Sequence, residues 1–250
     1  MRLETPEQAR CGRHPDAPAE TLCARCGDLV CPECMGGSAE SCAACRARLG
    51  LDRIAWERPV GGGVQRWWRT TTDVLFRSSA TFAAAAPGRW SAALVYLVTL
   101  LVPLAAVSAA ATVPALLSWK AAVPLAVLHF VGLMIFHGAL FLGRAVAFHA
   151  AVRLAGGRGI AASVWGCAYA HAPLVFYPFV FAFTRVSANP VVATVLVLAT
   201  ELWLIGELAM VAKHSHGLSD GRAAFAALAP ALLLVTLFGA CCLVGAYPLL

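Results

Sequence analysis

Charge is what this chain has least of. Asp, Glu, Lys and Arg make up 13% of its residues, about half the share found in a soluble domain. The acids are also confined. Nine of the thirteen fall within the first 60 residues, leaving Asp73, Glu201, Glu207 and Asp220 for all the rest. With a mean hydropathy of +0.74, residues 90–250 are too apolar for water, which excludes a wholly soluble domain. Catalytic signatures are missing as well. There is no His-Glu-x-x-His, no phosphate-cradling glycine loop and no Ser–His–Asp set, and Gly156-Gly157-Arg158-Gly159 reads as a short turn. Enzymatic activity is therefore not expected. A basic stripe is lacking too, since residues 1–60 hold eight Arg against nine acids, so nucleic acid is not an expected partner. No apolar stretch follows the polar, acidic start Met1 to Glu7, so the first span is expected to act as an uncleaved insertion signal.

What the chain does have, near its N-terminus, is eight metal-ligand side chains in four close pairs: Cys11 and His14, Cys23 and Cys26, Cys31 and Cys34, Cys42 and Cys45. Two tetrahedral zinc sites need eight ligands, and this segment supplies eight with no cysteine left over. A two-residue gap puts both members of a pair on one tight turn, at Zn–S distances near 2.3 Å. Gly27 after Cys26 suits a left-handed residue that relaxes the turn, and Pro32 fixes φ in another. About forty residues so poor in large apolar side chains bury too little to fold alone, and bound metal offsets the chain entropy. Disulfides are the bland alternative, disfavoured on a reducing cytoplasmic face. Redox and iron–sulfur readings fit a Cys/His set less well. The spacers between pairs are eight, four and seven residues. They favour a cross-brace, with Cys11, His14, Cys31 and Cys34 on one zinc and Cys23, Cys26, Cys42 and Cys45 on the other. Sequential pairing stays open. The pattern Cys-x-x-His-Pro, seven residues, Cys-x-x-Cys-Gly, three residues, Cys-x-x-Cys resembles the B-box type of zinc finger. Both sites would be saturated by protein ligands, leaving no open position of the kind a catalytic zinc keeps. The head is then structural, and its surface suits a protein partner.

Five windows are long and apolar enough to cross a bilayer, which takes about 20 residues: approximately 90–113, 119–142, 163–183, 191–212 and 223–246. Pro103, Pro124, Pro173 and Pro230 fall in or near them and are expected to kink helices rather than break them. Seventeen of the nineteen Lys and Arg lie on the N-terminal side of an odd number of crossings. This predicts a cytoplasmic N-terminus and an outside C-terminus; four spans plus a re-entrant segment is the alternative. Residues 61–89 read as a linker and landing strip, flexible at Gly61 to Gly63, with Arg66-Trp67-Trp68-Arg69 suited to the headgroup layer and a short interfacial helix or plain linker after it.

Three stretches beyond residue 85 carry a further likeness: His149 to Gly159, Tyr169-Ala170-His171-Ala172-Pro173, and Trp203 to Arg222 with His216-Gly217-Leu218-Ser219. Together they resemble the Yip family of membrane proteins in its bacterial branch. The resemblance implies five spans and a cytoplasmic N-terminus. Asp73-Val74-Leu75-Phe76-Arg77 lacks the Gly-Pro of the eukaryotic members' motif, so Rab binding is not carried over.

The expected organisation is thus an all-α membrane domain of five transmembrane helices with a small zinc-stabilised cytoplasmic domain. Residues 1–50 form the B-box-like head, 51–89 a linker and interfacial segment, and 90–250 the Yip-like spans. The expected location is a bacterial inner membrane. The expected cofactor is zinc, two ions. The expected partners are a cytoplasmic or membrane protein and the lipid bilayer, with self-association open. Polar residues inside spans are costly and face the bundle interior. Glu201, His129 and His171 are expected at similar depth, as a proton or cation site or simply as hydrogen-bonding glue. His137, Arg144, His149 and Arg153 are expected nearer the cytoplasmic face, where lipid phosphate is one contact. Glu207 and Lys213 are expected at the interface, and His214-Ser215-His216 offers a weak metal motif.

Overall fold

A computed structural model of the chain describes residues 9–24, 26–35, 42–45, 53–59, 61–112, 119–187 and 190–246. The head is built from almost no regular structure. Two short strands, β1 (Thr21–Leu22) and β2 (Leu29–Val30), pair antiparallel with Thr21 opposite Val30 and Leu22 opposite Leu29. A single helical turn follows, α1 (Pro32–Met35), opened by its proline, whose absent N–H costs nothing at a helix start. The apolar core here is the ligand cysteines themselves with Val30 and Met35.

Most of the remaining described residues are helical. In order they are α2 (Gly63–Ala84), α3 (Trp90–Thr112), α4 (Trp119–Leu154), α5 (Ile160–Ala170), α6 (Tyr177–Ser187), α7 (Pro190–His216) and α8 (Asp220–Ala246). Helix α7 is central, packing on α8, α5 and α2, while α4 packs on α8 and α3. Trp165, Tyr96, Tyr169, Phe82 and Phe148 are the largest fully buried side chains.

Among the described residues, four segments are long and apolar enough to cross a membrane: Trp90–Ala110, Lys120–Leu154, Ile160–Phe183 and Thr194–His216. The fifth expected span coincides with α8, but side chains of its C-terminal half lie outside the described residues. Pro103, Pro124 and Pro230 sit inside continuous helices, as expected. Pro173 does more than kink. It divides the third span into α5, a 3-10 turn (Ala172–Phe176) and α6. Proline cannot donate to the carbonyl four residues back, and its ring clashes there. The His171 N–H turns to Tyr169 O. The imidazole Nδ1 of His171 then donates to the Cys167 carbonyl at 2.6 Å, which that N–H has deserted.

Residues 53–84 are not a free linker. Helix α2 buries Thr70, Thr71, Val74, Leu75 and Phe82, a one-sided stripe, against α7 and the turn Ala55–Glu57. Ahead of it runs a strap. Ile54 is 3% exposed, the Trp56 N–H donates to Thr70 Oγ1 at 2.7 Å, and Trp56 Nε1 donates to Ala92 O at 2.8 Å. The Glu57 carboxylate reaches into the bundle, accepting from Trp165 Nε1 at 2.6 Å and Tyr169 O–H at 3.0 Å, and from the Arg89 N–H at 3.2 Å. Gly88 makes room for it. A Cβ there would lie 1.7 Å from Glu57 Oε2. Glu57→Ala should therefore lower the stability of the bundle by about 1–3 kcal/mol, the cost of orphaned buried donors. Gly88→Ala should give part of that loss alone and none on top of Glu57→Ala, because it acts by displacing the same carboxylate. Thermal unfolding of the three variants in detergent checks this, and additive losses would refute it.

Candidate metal centres

The eight ligands gather into two groups, Cys11, His14, Cys31 and Cys34, and Cys23, Cys26, Cys42 and Cys45, with the ligand atoms in each within 4.8 Å of one another. This is the cross-brace pairing, and sequential pairing is excluded. The local chain explains it. The β1–β2 hairpin holds Cys23 and Cys26 in its loop, closed by the Cys23 N–H to Asp28 O and the Gly27 N–H to Cys23 O. Gly27 sits at φ +76°, the left-handed conformation the turn requires. Cys31 leaves β2 directly, and α1 brings Cys34 back one turn later. Consecutive pairs thus point to opposite sides of one hairpin.

The spacing suits zinc. With Zn–S near 2.3 Å and Zn–N near 2.0–2.1 Å, a tetrahedral site has edges of roughly 3.8 Å between sulfurs and roughly 3.5 Å between sulfur and nitrogen. Cys11 Sγ lies 3.7 Å from Cys34 Sγ, and Cys26 Sγ lies 3.8 Å from Cys42 Sγ. His14 Nδ1 is 3.3 Å from Cys31 Sγ and 3.6 Å from Cys34 Sγ. The Cys42 N–H donates to Cys23 Sγ at 3.2 Å, the outer contact that steadies a thiolate ligand. In each group three ligands are buried and one, His14 or Cys26, is exposed. Without an ion's charge, burial and the neighbouring Cys11 and Cys31 sulfurs push the Cys34 thiol up to about 11. The backbone at Arg13 draws the Cys11 thiol down to about 6 against its burial. A divalent ion takes both as thiolates, so loading releases protons.

Polar groups in the bundle are arranged differently from the sequence expectation. His171 and Glu201 do line one cavity of about 200 Å³, together with His137, Arg144 and Tyr177, but His129 is not among its walls. The partner of Glu201 is Arg144, at 2.5 Å, and the Tyr177 hydroxyl donates to its other oxygen at 2.9 Å. Arg144 is thus a counter-ion inside the bundle. The sequence expectation places it nearer the cytoplasmic face, because its pairing with Glu201 spans 57 positions. Glu207 is 3% exposed and bonded to Trp203 Nε1, and Lys213 pairs with exposed Asp220 at 2.6 Å. His214 and His216 do not converge on a metal. The first meets Ser79 Oγ. The second meets Ser163 Oγ, which also contacts His149, and the Arg158 carbonyl.

No curated protein and no solved structure matches the chain. The family model of the B-box zinc finger matches residues 6–38, a stretch that holds the first three ligand pairs. Cys42 and Cys45 complete the second group just beyond it. The head thus carries both the family signature and the two ligand sets of a B-box that takes two zinc ions.

Proposed function

We propose that the protein is a membrane-anchored adaptor, whose zinc head recruits a protein partner and whose helices hold that partner at the membrane. The observation that carries this is the saturation of both ligand groups. Four protein ligands per ion leave no position for substrate or attacking water, so the head works through its surface. That surface presents Leu22 and Leu29, 57% and 41% exposed and directly opposite one another across the hairpin, an apolar pair of the kind binding modules use. The head is also on a short leash. Arg53, where the docked strap begins, follows the last ligand Cys45 by eight residues, at most about 29 Å of extended chain.

Finer parts of the same reading rest on the sequence. They are five spans with α8 as the fifth, a cytoplasmic N-terminus and outside C-terminus, a bacterial inner membrane and a Yip-like membrane domain. The charge distribution and the three Yip-like stretches support them, and self-assembly of the helices is compatible with them.

In-cell crosslinking and mass spectrometry of captured proteins test the adaptor. With membrane levels matched, a Cys31→Ser/Cys34→Ser variant should lose partners that the wild type and Glu201→Gln both keep. An unchanged partner set overturns the reading. A small transporter or lipid-handling protein is the second reading, favoured by the polar cavity around Arg144 and Glu201, and it makes the reverse demand.

A further inference from the structure

A large apolar concavity lies away from both the zinc head and the Arg144–Glu201 pair. It is a groove of about 550 Å³ between the start of α3, the last third of α4 and the start of α5, walled by Trp90, Leu94, Val146, His149, Ile160 and Val164 among others. That volume is in the range of ligand sites. The walls are apolar but for His149, whose Nδ1 is already engaged with Ser163 Oγ at 3.0 Å. Trp90, Val146 and Ile160 are 54%, 68% and 63% exposed, so the groove opens sideways, on the face that helices read as spans turn to lipid.

One end of the groove is basic. Arg89 immediately precedes Trp90, Arg158 lies two residues before Ile160, and Arg153 lies seven residues beyond Val146 and four beyond His149, on the same face of α4. Each lining helix therefore has an arginine at its end, all three ends belong to one side of the bundle, and all three arginines are exposed. None of the three guanidiniums has a hydrogen-bond or ion-pair partner among the described residues. Three cations at the mouth of an apolar, membrane-facing slot complement one kind of molecule, an anionic head on a hydrocarbon tail.

We propose that this groove is a binding site for an anionic phospholipid, with an acyl chain along Leu94, Val146 and Val164 and the phosphate at Arg89, Arg153 and Arg158. The occupant is a lipid of the surrounding bilayer and not a soluble phosphate, because a free anion gains nothing from the apolar walls. The site is separate from the adaptor head and stands whether or not the head recruits a partner.

The test uses the full-length protein in detergent with an equimolar mixture of phosphatidylglycerol and phosphatidylcholine, read by native mass spectrometry. The wild type should retain phosphatidylglycerol over phosphatidylcholine by roughly a hundred-fold, given about five-fold for each of three interfacial arginines. Arg89→Gln/Arg153→Gln should cut that preference to about five-fold, the share left by Arg158. Ala161→Trp fills the groove from an exposed position that lines it, and should lower retention of both lipids with the melting temperature unchanged. Parity in the wild type, or an undiminished preference in the arginine variant, overturns the proposal. Retention unaffected by Ala161→Trp, with folding intact, also overturns it by placing the lipid elsewhere.

Discussion

Stripping zinc from the full-length protein will unfold residues 9–45 and leave the helical bundle standing. The head has no other source of stability. Among the described residues its core is six of the seven ligand cysteines with Val30 and Met35, and its regular structure is two short strands and brief helical turns at Pro32–Met35 and 43–45. Structural zinc supplies about 10–16 kcal/mol per site in small domains, far more than such a core can. A strong chelator should therefore expose the head to protease while far-UV helicity barely changes, because the helices lie elsewhere. Metal analysis should find two zinc ions per chain before treatment. Cys31→Ser should reduce that to one or none. The cross-brace makes the second loss plausible on physical grounds: β1 and β2 are shared, so releasing Cys31 frees the strand that closes the Cys23 and Cys26 loop. Zinc retention should also fall as pH falls, since each thiolate must be reprotonated for release and the Cys34 thiol is pushed up to about 11 in the absence of the ion's charge. A chain that keeps its protease resistance in chelator, or binds a single zinc, contradicts this account.

Arg144→Met should destabilise the membrane domain more than any other single change among the bundle's polar groups. The guanidinium and the Glu201 carboxylate meet at 2.5 Å with side chains 12% and 29% exposed. Removing one partner strands the other charge where water and counter-ions are scarce. Breaking a buried pair costs about 3–5 kcal/mol, and the partial exposure of Glu201 places this case near the lower figure. Replacing both partners, as Arg144→Met/Glu201→Met, should recover most of the loss, because two well-packed apolar side chains need no compensation. Thermal unfolding of both single variants and the double variant in detergent decides it. A double variant as unstable as the sum of its parents would mean that the two residues do not compensate one another. The transporter reading makes a separate demand. Glu201→Gln must then abolish flux of some solute beyond what its loss of stability accounts for.

The zinc ligands were legible because metal chemistry is local. Two-residue gaps and a four-residue central spacer constrain geometry before any tertiary contact forms. The apolar runs were legible for a similar reason, and the helix that opens at Trp90 begins where it was expected. What lay beyond sequence reasoning depends on contacts between distant residues. Glu57 meets Trp165 across 108 positions and Arg144 meets Glu201 across 57, and no periodicity encodes either. The same limit explains why residues 53–84 read as a linker. Arg66-Trp67-Trp68-Arg69 suits a headgroup layer and a docked helix equally, and the choice falls to Thr70 meeting Trp56 and Thr71 meeting Tyr96. Pro173 was read as a kink for want of one local fact, that the His171 side chain can take over the deserted Cys167 carbonyl.

Helix α4 has 36 residues, about 54 Å of helix at 1.5 Å per residue. The hydrocarbon layer of a bilayer is about 30 Å thick, and about 40–45 Å with its headgroups. Lying wholly within the outer dimension demands a slant near the upper limit of about 40° seen for membrane helices. Its first half is clad in exposed Val123, Leu125, Val127, Leu128 and Val131, side chains that gain nothing from standing in water. Its length therefore ties its slant to the thickness of the bilayer around it. A thick bilayer shelters it upright, whereas a thin one must swell around it or tip it over, and such a tilt would travel through α3, which packs against it, to the strap that Trp56 ties to Ala92.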